Sequence, residues 1–195
     1  MALRIADTVT FIHVPKNAGT SIIHWTRLSG LPHRHSACDH DRARDLDPAW
    51  LDRTVAVVRD PWHRLVSSYL FGQRKCQVRL GRRISTERRR ELEREVSLYE
   101  TGLENWLLNH PDPSAFLQSD YLPVDRANCH IIPFDRVSRS WSEFARSMGW
   151  PKVGLPHSNA NPNTDDYDSM HTAVTRAWVR EHLHADLELA ERYLV

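Results

Sequence analysis

Apolar residues recur along this chain with two different periods, which separate strand-like runs from helix-like stretches. Runs of apolar and β-branched residues at 8–14, 54–59 and 128–134 predict strands. Apolar residues spaced three and four positions apart predict helices in the stretches between and after them. These predicted helices cover 20–28, 39–46, 61–72, 85–101, 102–109, 138–148 and a last helix running to Leu194, with an extended piece at 31–36 and a loop at 150–166. The alternation predicts one α/β domain over residues 1–195, with a central, mainly parallel sheet flanked by helices in three layers.

The first predicted strand leads into a polar turn and then a helix, with the sequence Pro15-Lys16-Asn17-Ala18-Gly19-Thr20-Ser21. In this order the N–H groups of the turn and of the first helical turn converge, and the helix dipole adds positive potential. Lys16 adds a full charge, and Thr20 and Ser21 add hydroxyl donors. The segment therefore predicts a site for a phosphate-bearing ligand; a plain strand-to-helix turn with an incidental lysine is the alternative. It is not a Walker A loop, because Lys16 precedes Gly19 and no Gly-Lys-Ser/Thr occurs in the chain.

A second polar segment follows the run at 54–59, whose unbroken apolar sequence is typical of a buried parallel strand. The run ends in Arg59, and Pro61 suits the first position of a helix. At 100° per residue, Arg64 and Ser67 fall on the helix face opposite the apolar stripe, beside the strand end that carries Arg59. Arg59 and Ser67 are therefore expected to converge on one ligand. Together the two polar segments suit a ligand with two separated phosphates.

The two segments together resemble the signature of the sulfotransferases that use 3′-phosphoadenosine 5′-phosphosulfate (PAPS). The second segment is similar to the form R-[DN]-P-x-x-R-x-x-S-x-Y of the carbohydrate-type branch, the sulfotransferase family 2-like proteins, and reads Arg59-Asp60-Pro61-Trp62-His63-Arg64-Leu65-Val66-Ser67-Ser68-Tyr69. Residues 118–122, 131–137 and 155–159 follow the layout of small, soluble, bacterial-type members. The resemblance covers most of the chain and implies a P-loop-like α/β fold.

The resemblance also implies a role for each site residue. The loop would hold the 5′-phosphosulfate of PAPS through Lys16, Asn17, Ala18, Gly19, Thr20 and Ser21. Arg59 and Ser67 would hold the 3′-phosphate. Lys16 would act in catalysis as well, because it stabilises the charge that grows on the product 3′-phosphoadenosine 5′-phosphate during in-line displacement at sulfur. No metal is expected, since protein cations meet this charge.

Transfer to a hydroxyl group needs a base, and histidine is suited to that role near neutral pH. His33, His35 and His40 lie between the two phosphate segments. The sequence His33-Arg34-His35 resembles the family position of the catalytic base, with His35 as the first choice and His33 as the second; surface histidines in a polar loop are the alternative. The same stretch has the ligand types of a zinc site in His33, His35, Cys38 and His40, with Asp39 and Asp41, but its spacing lacks the usual pairs.

Composition narrows the class of protein. A chain of 195 residues is long enough for a packed core. Without an apolar run near the ~20 residues of a membrane span, and without a secretory signal pattern, the chain is expected to be soluble and cytoplasmic. Its cysteines, Cys38, Cys76 and Cys129, are expected to be free thiols. The net charge of +1 has no nucleic-acid signature, so no nucleic-acid partner is expected.

Positive charge is concentrated between Arg74 and Arg90, where eight basic residues accompany a single acid, Glu87. One interpretation is the solvated face of a helix, and the other is a surface for an acidic acceptor. The acceptor is expected to be a hydroxyl-bearing glycan or small molecule. Two other function classes stay open: a P-loop kinase-like phosphotransferase that uses Mg²⁺ and a nucleoside triphosphate, and a catalytically inactive nucleotide-binding module.

Overall fold

A computed structural model describes residues 2–36, 41–110, 112–123, 128–158 and 167–194. Within these residues, five strands and seven α-helices make the chain an α/β protein, as predicted. The strands are β1 Ala2–Ile5, β2 Val9–Ile12, β3 His33–His35, β4 Thr54–Val58 and β5 Cys129–Pro133. The helices are α1 Gly19–Leu28, α2 Pro61–Leu80, α3 Thr86–Glu100, α4 Leu103–Leu108, α5 Val137–Ser147, α6 Ala173–His182 and α7 His184–Tyr193.

Two compact units divide the chain, and each is assembled from separate stretches of sequence. Unit 1 comprises Met1–Asp60, Leu117–Pro162 and Ala185–Val195, and it contains the whole sheet with α1, α5 and most of α7. Unit 2 comprises Pro61–Phe116 and Asn163–His184, and it contains α2, α3, α4 and α6. A single domain over residues 1–195 stays a prediction.

The sheet of unit 1 is mixed, with the strand order β3-β1-β2-β4-β5. β2, β4 and β5 run parallel, with Phe11 opposite Val55 and Val55 opposite His130. β1 is antiparallel to both of its neighbours, and Leu3 lies opposite Phe11 on one side and His35 on the other. The three predicted strands are confirmed. A mainly parallel sheet is not confirmed, because both pairings of β1 are antiparallel.

The unpredicted strand β1 forms a hairpin with β2. Its turn contains two residues with left-handed backbone, Ala6 at φ 49° and Asp7 at φ 53°. Consecutive positive φ values match the twist of the flanking strands, and they usually come with Asn-Gly or Asp-Gly. Because this turn contains no glycine, the sequence has no signal that separates β1 from β2.

Two apolar clusters pack on the sheet. The first joins the strands to α1 and α5, and it includes Leu3, Ile5, Val9, Phe11, Ile22, Trp25, Val55, Val57, Ile132, Trp141 and Phe144. The second joins the strands to α7 and the chain around Tyr121, and it includes Ala2, Ile12, Val14, Ala56, Val58, Tyr121, Leu122 and Leu189. Trp25 and Trp141 are fully buried and meet edge to face at 5.2 Å between ring centroids. This packing fixes α1 on the sheet and so fixes the loop from which α1 starts.

Three predicted helices differ from the structure. α2 continues past Gly72 to Leu80, because this glycine serves close packing and not helix termination: a Cβ there would lie 2.0 Å from Oη of Tyr99 on α3. The C-terminal helix is two helices, separated at Leu183. The helix predicted at 39–46 is a short 3₁₀ turn at Ala43–Asp45, and residues 39–40 lie outside the described residues. In the described parts of the chain, no helix combines the length and apolar character of a membrane span.

Candidate anion-binding site

The loop between β2 and α1 has a rare backbone conformation. Lys16 at φ 70° and Ala18 at φ 58° are left-handed, whereas Asn17 between them is not. Backbone with left-handed residues of this kind is found in loops whose N–H groups bind anions. The left-handed form costs an L-residue with a Cβ roughly 1–2 kcal/mol, and such strain is found preferentially at functional sites.

α1 begins directly after this loop and presents its positive end there. The N–H groups of a first helical turn have no acceptor within the helix. Ala18, the N-cap residue, provides no side-chain cap, and the first turn of α1 contains no acidic residue. The positive end of this helix dipole is therefore suited to an external anion.

Gly19 brings the start of α1 against the ring of His13. A Cβ at Gly19 would lie 1.8 Å from Cδ2 and 2.0 Å from Nε2 of His13, so this position has no room for a side chain unless His13 moves. The His13 ring also stacks on Phe11 with 6.1 Å between centroids. Sequence reasoning missed His13, although its place between the strand and the polar turn was a usable signal.

Arg59 follows β4, the strand next to β2, and it lies against the loop. Its Nη1 donates to the carbonyl oxygen of Lys16 at 3.2 Å. Its guanidinium lies 4.2 Å from the ring centroid of Phe134, and only 8% of the residue is exposed. The ring and the carbonyl together hold the cation at this end of the sheet. The structure thus brings the Arg59 side chain against the backbone of Lys16, so the two segments that the sequence analysis assigned to the two phosphates touch.

Asn17 points into the protein, where it holds the loop against β4. Its Nδ2 donates to the carbonyl oxygen of Val57 at 2.8 Å and to Oε1 of Gln118 at 2.9 Å. Its backbone N–H donates to the carbonyl oxygen of Val14 at 3.3 Å. A contact between Asn17 and phosphate stays a prediction. Gln118 was missed as a site residue, because its neighbours in the sequence give no sign that it is buried.

The two hydroxyl residues of the loop differ in exposure. Thr20 is exposed, whereas Ser21 is buried and its Oγ accepts a hydrogen bond from the N–H of Ser158 at 3.1 Å. Nε1 of Trp25 donates to the carbonyl oxygen of Val153 at 2.8 Å. The first part of the loop predicted at 150–166 therefore lies along α1, and residues 159–166 lie outside the described residues.

Ser67 and Arg64 belong to α2 in unit 2. Ser67 is half-buried. Arg64 was expected on a face away from the apolar stripe, but it is only 3% exposed and its Nη1 donates to the carbonyl oxygen of Phe116. Its long apolar stem and multiple donors allow a guanidinium to be buried in this way. Convergence of Ser67 with Arg59 stays a prediction.

The candidate bases His33 and His35 both lie on the edge strand β3, where they are exposed with 5.8 Å between ring centroids. His35 lies opposite Leu3, which lies opposite Phe11, so His35 is level with β2 itself and not with the loop after it. Partial burial, followed by the positive charges of His33 and Arg27, lowers the pKa of His35 below 6.5. The neutral imidazole, which is the form that accepts a proton, therefore predominates at pH 7.

Three members of the alternative zinc cluster, Cys38, Asp39 and His40, lie outside the described residues. The described part of the chain contains no group of three or more His, Cys, Asp or Glu side chains that could bind a metal ion. Cys76 and Cys129 are free thiols, as predicted. Burial, with the nearby Glu95, raises the pKa of Cys76 to about 11, so this thiol stays protonated at neutral pH.

A cavity of about 830 Å³ runs beside α5 along the outer edge of β5, and it includes none of the predicted site residues. Its lining includes Thr54 at the start of β4 and Cys129 at the start of β5. Lys16 and Arg59 follow the other ends of β2 and β4.

Comparisons with known proteins identify no relative of this chain. No protein-family model matches the chain. No curated protein and no solved structure matches it either. The function is therefore inferred from the residues of the site and their geometry.

Proposed function

We propose that this chain is a PAPS-dependent sulfotransferase that transfers a sulfuryl group to a hydroxyl of a carbohydrate. The observation that carries the proposal is the contact between Arg59 and the carbonyl oxygen of Lys16, 3.2 Å apart at the ends of two adjacent parallel strands. Arg59 and Lys16 belong to the two different segments that resemble the sulfotransferase signature. The bond from the Arg59 side chain to the Lys16 backbone joins these segments, which supports one ligand that both bind.

We also infer that unit 1 is a P-loop-like, three-layer α/β domain. The parallel strands β2, β4 and β5 support this inference, since the candidate site follows the first two of them. Helices pack on the sheet through two separate apolar clusters. In this interpretation β1 and β3, which are joined to β2 through two antiparallel pairings, extend the parallel part of the sheet at one edge.

The residues of the loop fit the phosphate groups of PAPS. The uncapped start of α1, directly after the left-handed residues Lys16 and Ala18, offers N–H groups to a 5′-phosphate. Thr20 and Ser21 offer hydroxyl donors, and Arg59 offers a guanidinium to the 3′-phosphate, with Ser67 as its proposed partner.

PAPS supplies the sulfuryl group: as the acceptor oxygen bonds to sulfur, the bond from sulfur to the bridging phosphate oxygen breaks and its electron pair leaves with the phosphate. Lys16 neutralises the charge that develops on that phosphate. His35 takes the acceptor proton, with His33 as the second choice. The lowered pKa of His35 keeps this imidazole neutral at pH 7, which suits it to accept the proton.

The acceptor is proposed to be acidic, because exposed cations surround the connection between α2 and α3. Of the eight basic residues between Arg74 and Arg90, only Arg88 is part-buried, and it pairs with Glu91 at 2.6 Å. The other seven are exposed and give unit 2 a local excess of positive charge.

Calorimetry on the purified chain tests the donor. We expect binding of 3′-phosphoadenosine 5′-phosphate without added metal, and much weaker binding of ATP or GTP with Mg²⁺. Tight binding of a triphosphate that depends on magnesium would support the kinase-like alternative instead. Transfer of labelled sulfate from PAPS to an oligosaccharide then separates an active transferase from an inactive nucleotide-binding module.

Substitution of the loop lysine tests the proposed transfer chemistry. Lys16→Ala is expected to lower turnover by about 10²–10³-fold, since a charge aimed at the leaving phosphate acts mainly in the transition state. The dissociation constant of the product nucleotide should rise by less than about tenfold. Steady-state kinetics and calorimetry measure the two effects. Lys152→Ala, at an exposed lysine of the same unit, is the matched control and should change neither. Equal losses in turnover and in nucleotide affinity would contradict the role of Lys16.

A further inference from the structure

We propose that Gln118 is a positioning residue that locks the Lys16 loop to the end of β4, and that Asp186 holds Gln118 in place. The inference rests on the proposed function for its ligand, but the lock itself is a property of unit 1. Gln118 is fully buried, so it acts through the segments it joins and not by touching a ligand.

The side-chain amide of Gln118 pairs with the backbone of Arg59 as a neighbouring strand would. Its Oε1 accepts from the N–H of Arg59 at 3.2 Å, and its Nε2 donates to the carbonyl oxygen of Arg59 at 2.7 Å. The ladder between β4 and β5 ends one residue earlier, where Val58 lies opposite Pro133. Arg59, which is proposed to bind the 3′-phosphate, lies just beyond the last strand pair. The side chain of Gln118 therefore fixes its backbone in place of a neighbouring strand.

The same oxygen of Gln118 also receives the loop. Nδ2 of Asn17 donates to Oε1 of Gln118 at 2.9 Å and to the carbonyl oxygen of Val57 at 2.8 Å. The orientation of both amides follows from the backbone, because a backbone N–H only donates and a carbonyl oxygen only accepts. Oε1 of Gln118 is thus one acceptor shared by donors from both proposed phosphate-binding segments.

Asp186 fixes the backbone of Gln118 from the first turn of α7. Its Oδ2 accepts from the N–H of Gln118 and its Oδ1 from the N–H of Ser119, each at 2.8 Å. The carboxylate is fully buried, and an acidic group in a first helical turn is favoured by the helix dipole. Two charge-assisted bonds in a buried setting leave Gln118 little freedom to move.

Gln118→Met tests the lock, because methionine has a similar length and makes none of these hydrogen bonds. Hydrogen exchange measured by mass spectrometry should accelerate by about tenfold or more in both residues 14–22 and residues 55–62. Calorimetry should show about 10–100-fold weaker binding of 3′-phosphoadenosine 5′-phosphate, and weaker binding of adenosine 5′-monophosphate and adenosine 3′-monophosphate alike. Gln77→Met, at an exposed glutamine of α2, is the matched control.

A second variant separates positioning from a general loss of stability. Ile132→Val removes one methylene from the buried core of the same unit, and it should lower the melting temperature without weakening the nucleotide. Gln118→Glu keeps the acceptor oxygen for Arg59 and Asn17 but loses the donor to the carbonyl of Arg59. Relative to the wild type, this variant should regain nucleotide affinity as the pH is lowered, since a protonated carboxyl group donates as the amide does.

Faster exchange in only one of the two segments, or in neither, would overturn the lock. Faster exchange in both with unchanged nucleotide affinity would overturn the positioning role. If the wild-type chain binds none of the three nucleotides, the proposed function fails, and the exchange rates alone then decide whether Gln118 joins the segments.

Discussion

Lys16 and Ala18 adopt the left-handed backbone conformation, which is unfavourable for residues with a Cβ atom. The neighbouring residue has to be glycine, because a Cβ at Gly19 would overlap the ring of His13. Each of these residues alone would be unremarkable in a surface turn. Together they give a loop with two left-handed residues at the positive end of a helix, with the Arg59 side chain against it. At the scale of single residues, the site is therefore a matter of backbone shape as much as of charge.

Gly19→Ala is expected to lower the free energy of unfolding by about 1–3 kcal/mol, because the new methyl group would overlap the His13 ring. Urea unfolding measures this effect. Gly154→Ala is the control, since a Cβ there would meet nothing within 4 Å, and it should change stability by at most about 1 kcal/mol, as a gain. A neutral Gly19→Ala would mean that the His13 ring moves aside at no cost.

His33→Gln is expected to raise the pKa of His35 toward 6.5, because it removes one of the positive charges that lower it. In the wild type the base form persists to a pH below 6.5, so the acid limb of kcat/KM should lie below that value. In the variant this limb should move to higher pH. NMR titration of the His35 ring measures the pKa directly, and the pH–rate profile shows whether the same group controls turnover. His24→Gln, at an exposed histidine of α1, should leave the pKa of His35 unchanged.

The sequence predicted which residues approach the ends of β2 and β4 but not how they are held. Lys16 and Arg59 are polar residues directly after apolar runs, which is a local pattern. Gln118 and Asp186 come from distant parts of the chain, and their burial is a tertiary property. A weak sign of Asp186 was present, since it lies three residues before Leu189, in the buried stripe of α7.

At the scale of elements, helix limits depend on caps and on packing. Ser85 caps α3, where its Oγ accepts from the N–H of Arg88 at 3.2 Å. Ser85→Ala should therefore lower the free energy of unfolding by about 1 kcal/mol, measured by circular dichroism in urea. Ser97→Ala is the control, at an exposed interior position of the same helix. It should raise the free energy of unfolding by about a few tenths of a kcal/mol at most, because alanine has a higher helix propensity than serine. Equal losses in both variants would contradict the capping role.

Periodicity found the buried strand β4 and most of the helices, because both have apolar spacing that is read locally. Periodicity did not predict the features that depend on tertiary packing or on an unusual turn. The helix predicted at 61–72 continues to Leu80, and Gly72 inside it gives Tyr99 room against α2. The hairpin of β1 was missed because Ala6 and Asp7 adopt left-handed backbone without the usual glycine.

At the scale of the whole molecule, charge is nearly balanced but unevenly distributed, with a net +1 and a cationic segment in unit 2. The double variant Arg82→Ala with Arg83→Ala should raise KM for an acidic oligosaccharide by about three- to tenfold at low salt, with kcat retained. Raising the ionic strength should reduce this difference, because salt screens exposed charges. Steady-state kinetics at several salt concentrations measures both effects.

The charge-matched control is Arg44→Ala with Arg192→Ala, two exposed arginines of unit 1. It removes the same net charge and should leave KM for the acidic acceptor nearly unchanged. An equal rise in both double variants would indicate a general field effect and would contradict a local docking surface.

The order of strands in the sheet differs from their order of synthesis, and this has a consequence for newly made chains. β3, β1 and β2 come from residues 2–35 and can pair as soon as they leave the ribosome. β4 adds to β2 next, but its other neighbour, β5, begins only at Cys129. While the intervening chain is translated, the edge of β4 that faces away from β2 has no partner strand, and an unpaired apolar edge is prone to pair with other chains. A nascent chain of this protein is therefore most in need of chaperone protection between the emergence of β4 and the arrival of β5.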